Sequence, residues 1–237
     1  MKGWSKLAPP EQRLPLPRTA AFALAADLSA RGFPQMGVAV MLSFVCYLRP
    51  GECQTLWSHH LVRPRPEAGE RYASWGVLLH DASMGRIGKT GMQDEAVLID
   101  LDPWLFPALA SLVGRPSAPR PLWSHTAEEL RVQFRASCLN LQLGRLGASL
   151  YCLRHGGASD DLLTKRRTLA EVRERGRWRT DASVRRYGKT TRLQSEIHKV
   201  PPATWQLGQQ AEAHFAQALL GQLLPHSKPL RKRPAAA

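Results

Sequence analysis

The sequence predicts a mainly helical α+β domain carrying one small antiparallel sheet. Apolar stretches at helical spacing, each closed by a proline or glycine, occupy both ends of the chain. Two short β-prone runs lie between them, joined by a turn that holds Gly85, Gly88 and Gly91. The 237 residues are 43% hydrophobic and 22% charged, close to ordinary globular usage, which allows a real core and excludes a disordered tail or linker.

Taken in order, residues 1–16 hold Pro9, Pro10 and Pro15 without a clear period and are expected to form a lead-in linker. Ala20 to Ala30 reads as a helix stopping at Arg31-Gly32, and Pro34 opens a second, almost wholly apolar helix through Leu48 that Pro50-Gly51 ends. Ser74 to His80 and Glu95 to Leu101 are the two arms of the predicted hairpin. Pro103 to Val113 reads as a short helix, followed by a proline-rich loop from Arg115 to Pro121. Thr126-x-x-Glu129 is a capping box that starts a helix to about Leu143, with Leu130, Phe134, Cys138 and Leu141 on one face.

Two or three helices are expected between Arg154 and Leu193. Residues 17–200 are thus expected to form one domain, 201–225 a C-terminal helix and 226–237 a disordered basic tail. Within the stretch Thr204 to Leu224, Leu207, Ala211, Phe215, Ala218 and Leu219 make an apolar face. On spacing alone, that face reads as one that closes the chain's own core. The tail carries Lys228, Arg231, Lys232 and Arg233, a pattern shared by short nuclear-import signals and ordinary disordered termini.

Composition narrows the class of partner. Lys and Arg number 33 against 19 Asp and Glu, a formal charge of +14, which points to a polyanion. Between Lys165 and Arg192 there are eleven basic and three acidic residues, interleaved with Trp178 and Tyr187, so the excess reads as a patch able to neutralise phosphates. The longest apolar stretch, Met36 to Leu48, is short of the roughly 20 residues a spanning helix needs, so no membrane span is expected. Thr19 to Ala26 only loosely imitates a secretory leader, and an intracellular location alongside DNA is favoured. Cys46, Cys53, Cys138 and Cys152 show no C-x-x-C pair and read as free thiols, and the histidines lack metal-ligand spacing. Neither a metal nor a cofactor is expected, and no P-loop or hydrolase nucleophile signature is present.

Five short motifs then occur in a set order: Arg49-Pro50-Gly51-Glu52, Lys89 in the glycine-rich turn, Tyr151-Cys152-Leu153-Arg154-His155, Gly176-Arg177-Trp178, and Arg186-Tyr187. Together, from about Pro17 to Leu193, they resemble the catalytic domain of the tyrosine recombinases, the phage-integrase family. The resemblance implies a tyrosine-recombinase-like fold and a site-specific recombinase or integrase, typically of a mobile element, that cuts and rejoins double-stranded DNA without a metal. It also implies assembly of several copies on DNA, in which the apolar face of Thr204 to Leu224 would dock on a neighbouring copy as the alternative to closing its own core. The family's N-terminal DNA-clasping domain is expected to lie mostly outside this sequence, which would then be either a fragment or one half of a clamp.

Chemically, such a reaction needs a nucleophile, donors for the charge developing on phosphorus, and a proton for the departing 5′ oxygen. By resemblance Tyr187 is the nucleophile that forms a 3′-phosphotyrosyl link, and Arg49 and Arg154 hold the nonbridging oxygens with their fixed, permanently charged forks. Lys89 is the general acid, Trp178 donates its indole N–H, Glu52 orients Arg49 and His155 supports the Arg154 segment. Arg177, Arg179, Arg185, Arg186 and Lys189 are expected DNA contacts. One departure stands out: the family motif begins with His where this chain has Tyr151, whose reference pKa near 10 does not allow proton exchange near pH 7. Slower cleavage, a different proton path, or a decayed recombinase that binds DNA without cutting it would each follow. A type IB topoisomerase and a basic RNA-binding module are the remaining readings.

Overall fold

At the centre of the computed structural model, which describes residues 14–79, 95–114, 118–185 and 191–220, lies a helix built largely of alanine. This helix, α1 (Arg18–Ala30), is buried continuously from Ala20 to Ser29. Its small side chains let other helices approach closely on more than one side, and both α2 (Pro34–Val45) and α10 (Pro202–Ala213) pack against it. The segment that imitates a secretory leader is therefore a core helix.

The second helix stops earlier than expected. Tyr47 adopts a left-handed φ of 49°, and the Leu48 N–H turns back to the Ser43 carbonyl at 3.1 Å. This is the hydrogen-bonded closure usually made with glycine. A five-residue helix, α3 (Pro50–Gln54), follows at once. Strands β1 (Leu61–Val62), β2 (Trp75–Leu79) and β3 (Glu95–Ile99) form one antiparallel sheet in that order, with Val77 opposite both Leu61 and Val97. Trp75, Val77, Leu79, Val97 and Ile99 face the core. The hairpin arms were legible, whereas β1 is too short to show a period.

A 3₁₀ turn, Pro103–Leu105, leads into α4 (Phe106–Val113). The expected capping box starts α5 (Ala127–Asn140): the Glu129 N–H donates to Thr126 Oγ1 at 3.1 Å, and the Thr126 N–H to Glu129 Oε2 at 2.7 Å. Leu130, Phe134, Cys138 and Leu141 are buried as expected. Helices α6 (Leu150–Leu163), α7 (Leu169–Arg175), α8 (Asp181–Arg185) and α9 (Thr191–Ile197) follow.

The C-terminal amphipathic stretch is α10 and α11 (Phe215–Leu219), broken at His214. Its face lies against the chain's own core: Phe215 meets Phe22 and Trp104 edge-on, at 5.6 and 4.8 Å between ring centres. Leu207, Ala211 and Ala218 are buried with it, so these residues close their own domain, the first of the two alternatives. The molecule is a mainly helical α+β protein with a three-stranded antiparallel sheet. All four cysteines are buried and free, and no described helix is long and apolar enough to cross a membrane.

Candidate functional site

Arg49 stands where α2 has ended and α3 begins. Pro50 occupies the first position of α3, which its fixed φ favours, and it holds Arg49 extended at φ −68°, ψ 148°. Glu52, one turn on, accepts the Arg49 backbone N–H on Oε2 at 2.7 Å and pairs with the Arg49 side chain through Oε1. The Glu52 carboxyl is itself buried, which opposes ionisation. Arg177 and the donors of Arg49 outweigh that burial and hold it below the usual carboxylate range.

Tyr151, Arg154 and His155 share one face of the first turns of α6, being three and four residues apart. The ring of Tyr151 meets His155 edge-on at 4.9 Å. Gly156 and Gly157 seat this helix: a Cβ at Gly157 would lie 2.0 Å from the Phe44 carbonyl oxygen, and one at Gly156 2.2 Å from that of Leu16. The glycine pair serves close packing, and it brings Arg154 under the end of α2. Arg154 is 1% exposed. Its two terminal nitrogens donate to the carbonyls of Tyr47 and Gly176, while its Nε–H has no acceptor among the described residues.

Trp178 covers Arg154, with the guanidinium carbon 4.5 Å from the ring centre, a stacking geometry that favours a cation. The indole follows a tight closure of α7, in which the Trp178 N–H reaches the Arg173 carbonyl at 3.0 Å and the Arg177 N–H that of Glu174 at 2.8 Å. Arg177 occupies the left-handed position of that closure, φ 54°. A residue with a Cβ there costs about 1 to 2 kcal/mol relative to the right-handed region.

Arg49, Arg154 and Trp178, distant in sequence, are thus brought together with Glu52 and Tyr151. Burial first, then the like charges of Arg177 and Arg49, push the Arg154 guanidinium down to about 10. It therefore remains charged at neutral pH. Beside it a surface cleft of about 470 Å³ is lined by Pro50, Arg131, Phe134, Arg135, Ser149 and Tyr151 among others. Lys89, Tyr187, Arg186 and Lys189 lie outside the described residues. The described flanks of the Tyr187 segment are the ends of α8 and α9.

Among the described residues of the basic run, several are tied into ion pairs and backbone carbonyls instead of forming one cationic face. Arg166 pairs with Asp102 at 3.1 Å, Arg167 with Asp161 at 3.1 Å, and Arg173 with Asp181 at 2.9 Å. Arg175 donates to the Val45 and Leu98 carbonyls, at 2.9 and 2.7 Å. Arg177, expected on DNA, points inward to Glu52 and Glu95, at 2.6 and 3.5 Å, with a side chain only 6% exposed. Lys165, Arg179 and Arg185 are exposed and carry no ion pair among the described residues.

Sequence reasoning missed Tyr47, whose contribution is a backbone carbonyl and a left-handed turn, neither of which a tyrosine signals. It also passed over Arg131 and Arg135, whose i, i+4 spacing on the exposed side of α5 was a usable sign. No family model and no curated protein matches the chain.

Proposed function

We propose that the protein is a tyrosine-type DNA recombinase, cutting and rejoining duplex DNA through Tyr187. One observation supports this reading above the others: Arg154 is buried beneath Trp178 with an unused Nε–H and lies close to Arg49. A buried, oriented donor at a charged cluster suits an anion whose charge grows during reaction. The shallow cleft beside Tyr151 has Arg135 on its wall, together with Arg131, which is paired with Glu128, and offers the polyanion a partly cationic approach.

In this mechanism the Tyr187 phenol loses its proton to water and attacks phosphorus. The bond to the 5′ oxygen breaks, that oxygen takes a proton from Lys89, and a 3′-phosphotyrosyl link remains. Arg49, fixed by Glu52, holds a nonbridging oxygen, and Arg154, whose terminal nitrogens serve the Tyr47 and Gly176 carbonyls, adds its positive charge and its one unused Nε–H beneath Trp178. Religation runs the same steps backward.

The test is a denaturant-stable adduct assay on a supercoiled plasmid library and nicked duplexes. The expected result is a covalent adduct and nicking, both lost in Tyr187→Phe while duplex binding persists. Tyr151, in the place of the family's His and stacked edge-on against His155, favours one second reading: a recombinase-derived protein that binds DNA without cutting it. Salt-sensitive duplex binding with no adduct, in the wild type and in Tyr151→His alike, would establish that second reading and overturn the first.

A further inference from the structure

Arg177 is held in a conformation that its own backbone disfavours. It fills the left-handed position of a helix closure that ordinarily takes glycine. Its Nη2 donates to Glu52 Oε2 at 2.6 Å and, more weakly, to the Tyr47 carbonyl at 3.4 Å, its Nη1 donates to the Arg175 carbonyl at 3.2 Å, and its Nε lies within ion-pair range of Glu95 Oε2 at 3.5 Å without a hydrogen bond. The other Glu52 oxygen holds the side chain of Arg49. A continuous chain, Glu95–Arg177–Glu52–Arg49, therefore joins the first residue of β3 to the α7 closure and to the start of α3. Glu95 is also where the described chain resumes after residues 80–94, which include Lys89. The same closure presents Trp178 to Arg154.

We propose that Arg177 is a positioning residue, which touches no DNA but fixes Glu52, and through it Arg49, relative to Arg154 and Trp178. The inference rests on the DNA-cleavage reading and replaces the expected role of Arg177 as a DNA contact. A planar fork is needed because Nη2 holds the Glu52 carboxylate while Nη1 holds the Arg175 carbonyl, two acceptors reached in fixed directions. A lysine ammonium keeps the charge but not that geometry.

Two variants separate the possibilities. Arg177→Lys keeps the charge, and Arg177→Gly removes the side chain while suiting the left-handed backbone. Each is measured for the single-turnover rate of adduct formation on the plasmid library, for duplex affinity across a salt series, and for the titration of the Glu52 carboxyl by carbon NMR. If Arg177 positions Arg49, adduct formation falls about tenfold to a hundredfold in both variants. Duplex affinity and its salt slope stay at the wild-type values, and Glu52 titrates higher in Arg177→Gly. Should the glycine variant fail to fold, the lysine variant carries the comparison alone.

A salt slope reduced by about one would make Arg177 a phosphate contact and overturn the proposal. Wild-type adduct rates in both variants would also overturn it, leaving the recombinase reading intact. Absence of adduct in the wild type itself would instead remove the parent reading, and this proposal with it.

Discussion

Arg175 and Arg185 belong to the same basic run yet do opposite things. The guanidinium of Arg175 is 8% exposed, donates to the Val45 and Leu98 carbonyls, and lies 5.4 Å from the ring centre of Tyr47. It ties the end of α2 to β3. Arg185, the last residue of α8, is exposed and has no ion pair among the described residues. Arg175→Ala strands the Val45 carbonyl and leaves the Leu98 carbonyl to water, so it should cost about 2 kcal/mol in urea unfolding while leaving the salt slope of duplex binding unchanged. Arg185→Ala should stay within about 0.5 kcal/mol of wild type and, on the DNA reading, lower that slope by about one. A slope that falls for Arg175→Ala in a protein of unchanged stability would contradict its inward geometry. Counting charges in the sequence could not separate these two arginines, because the difference lies in which carbonyls and carboxylates the fold brings to each.

Helix α6 illustrates how an element carries the site. Its first turns hold Tyr151 and Arg154, and Gly157 allows it to meet the end of α2, where the Tyr47 carbonyl waits for Arg154. Gly157→Ala would drive a methyl group to 2.0 Å from the Phe44 carbonyl oxygen, and two backbones would have to part. A loss of about 1 to 3 kcal/mol in unfolding is expected, together with weaker hydrogen-exchange protection along α6; unchanged stability and exchange would mean that the helices are not in contact there. Much at this scale was readable. The capping box of α5, the stop at Gly32 and the two hairpin arms each follow from a local chemical rule. The ends of α2, α6 and α7 were not, since Tyr47, Lys165 and Arg177 stand in the left-handed position with φ of 49°, 57° and 54°. Glycine does not occupy those left-handed positions, although Gly176 stands next to Arg177 at the end of α7, because hydrogen bonding and tertiary contacts override the preference of the residue. The grouping of Arg49, Arg154 and Trp178 was legible only from the order of motifs. The burial of Arg154 and the inward turn of Arg177 depend on helix closures that the sequence does not advertise.

Across the whole molecule, charge is organised by a buried network that joins its two ends. Arg18 at the start of α1 meets Glu212 in α10 at 2.6 Å, Asp102 at 3.0 Å and Asp160 in α6 at 3.7 Å. Arg166 meets Asp102, Asp161 and Asp160 at 3.1, 3.7 and 4.0 Å. Asp160 is the weak member. Its burial, reinforced by the neighbouring Asp161 and Glu212, outweighs Arg18 and Arg166 and raises its carboxyl from 3.8 to about 6. Between those two values the native state holds the extra proton, so stability declines as pH rises from about 4 to about 6 and stays lowered above that. The full shift corresponds to about 3 kcal/mol as an upper bound. Asp160→Asn keeps the shape without the charge. It should match wild type near pH 4 and exceed it by about 1 to 3 kcal/mol at pH 7, read from urea unfolding at a series of pH values. If the guanidiniums at 3.7 and 4.0 Å dominated instead, ionised Asp160 would be stabilising and the asparagine variant would be the weaker protein at pH 7. The sign of that single difference therefore tells whether burial or ion pairing governs the link between α1, α6 and α10.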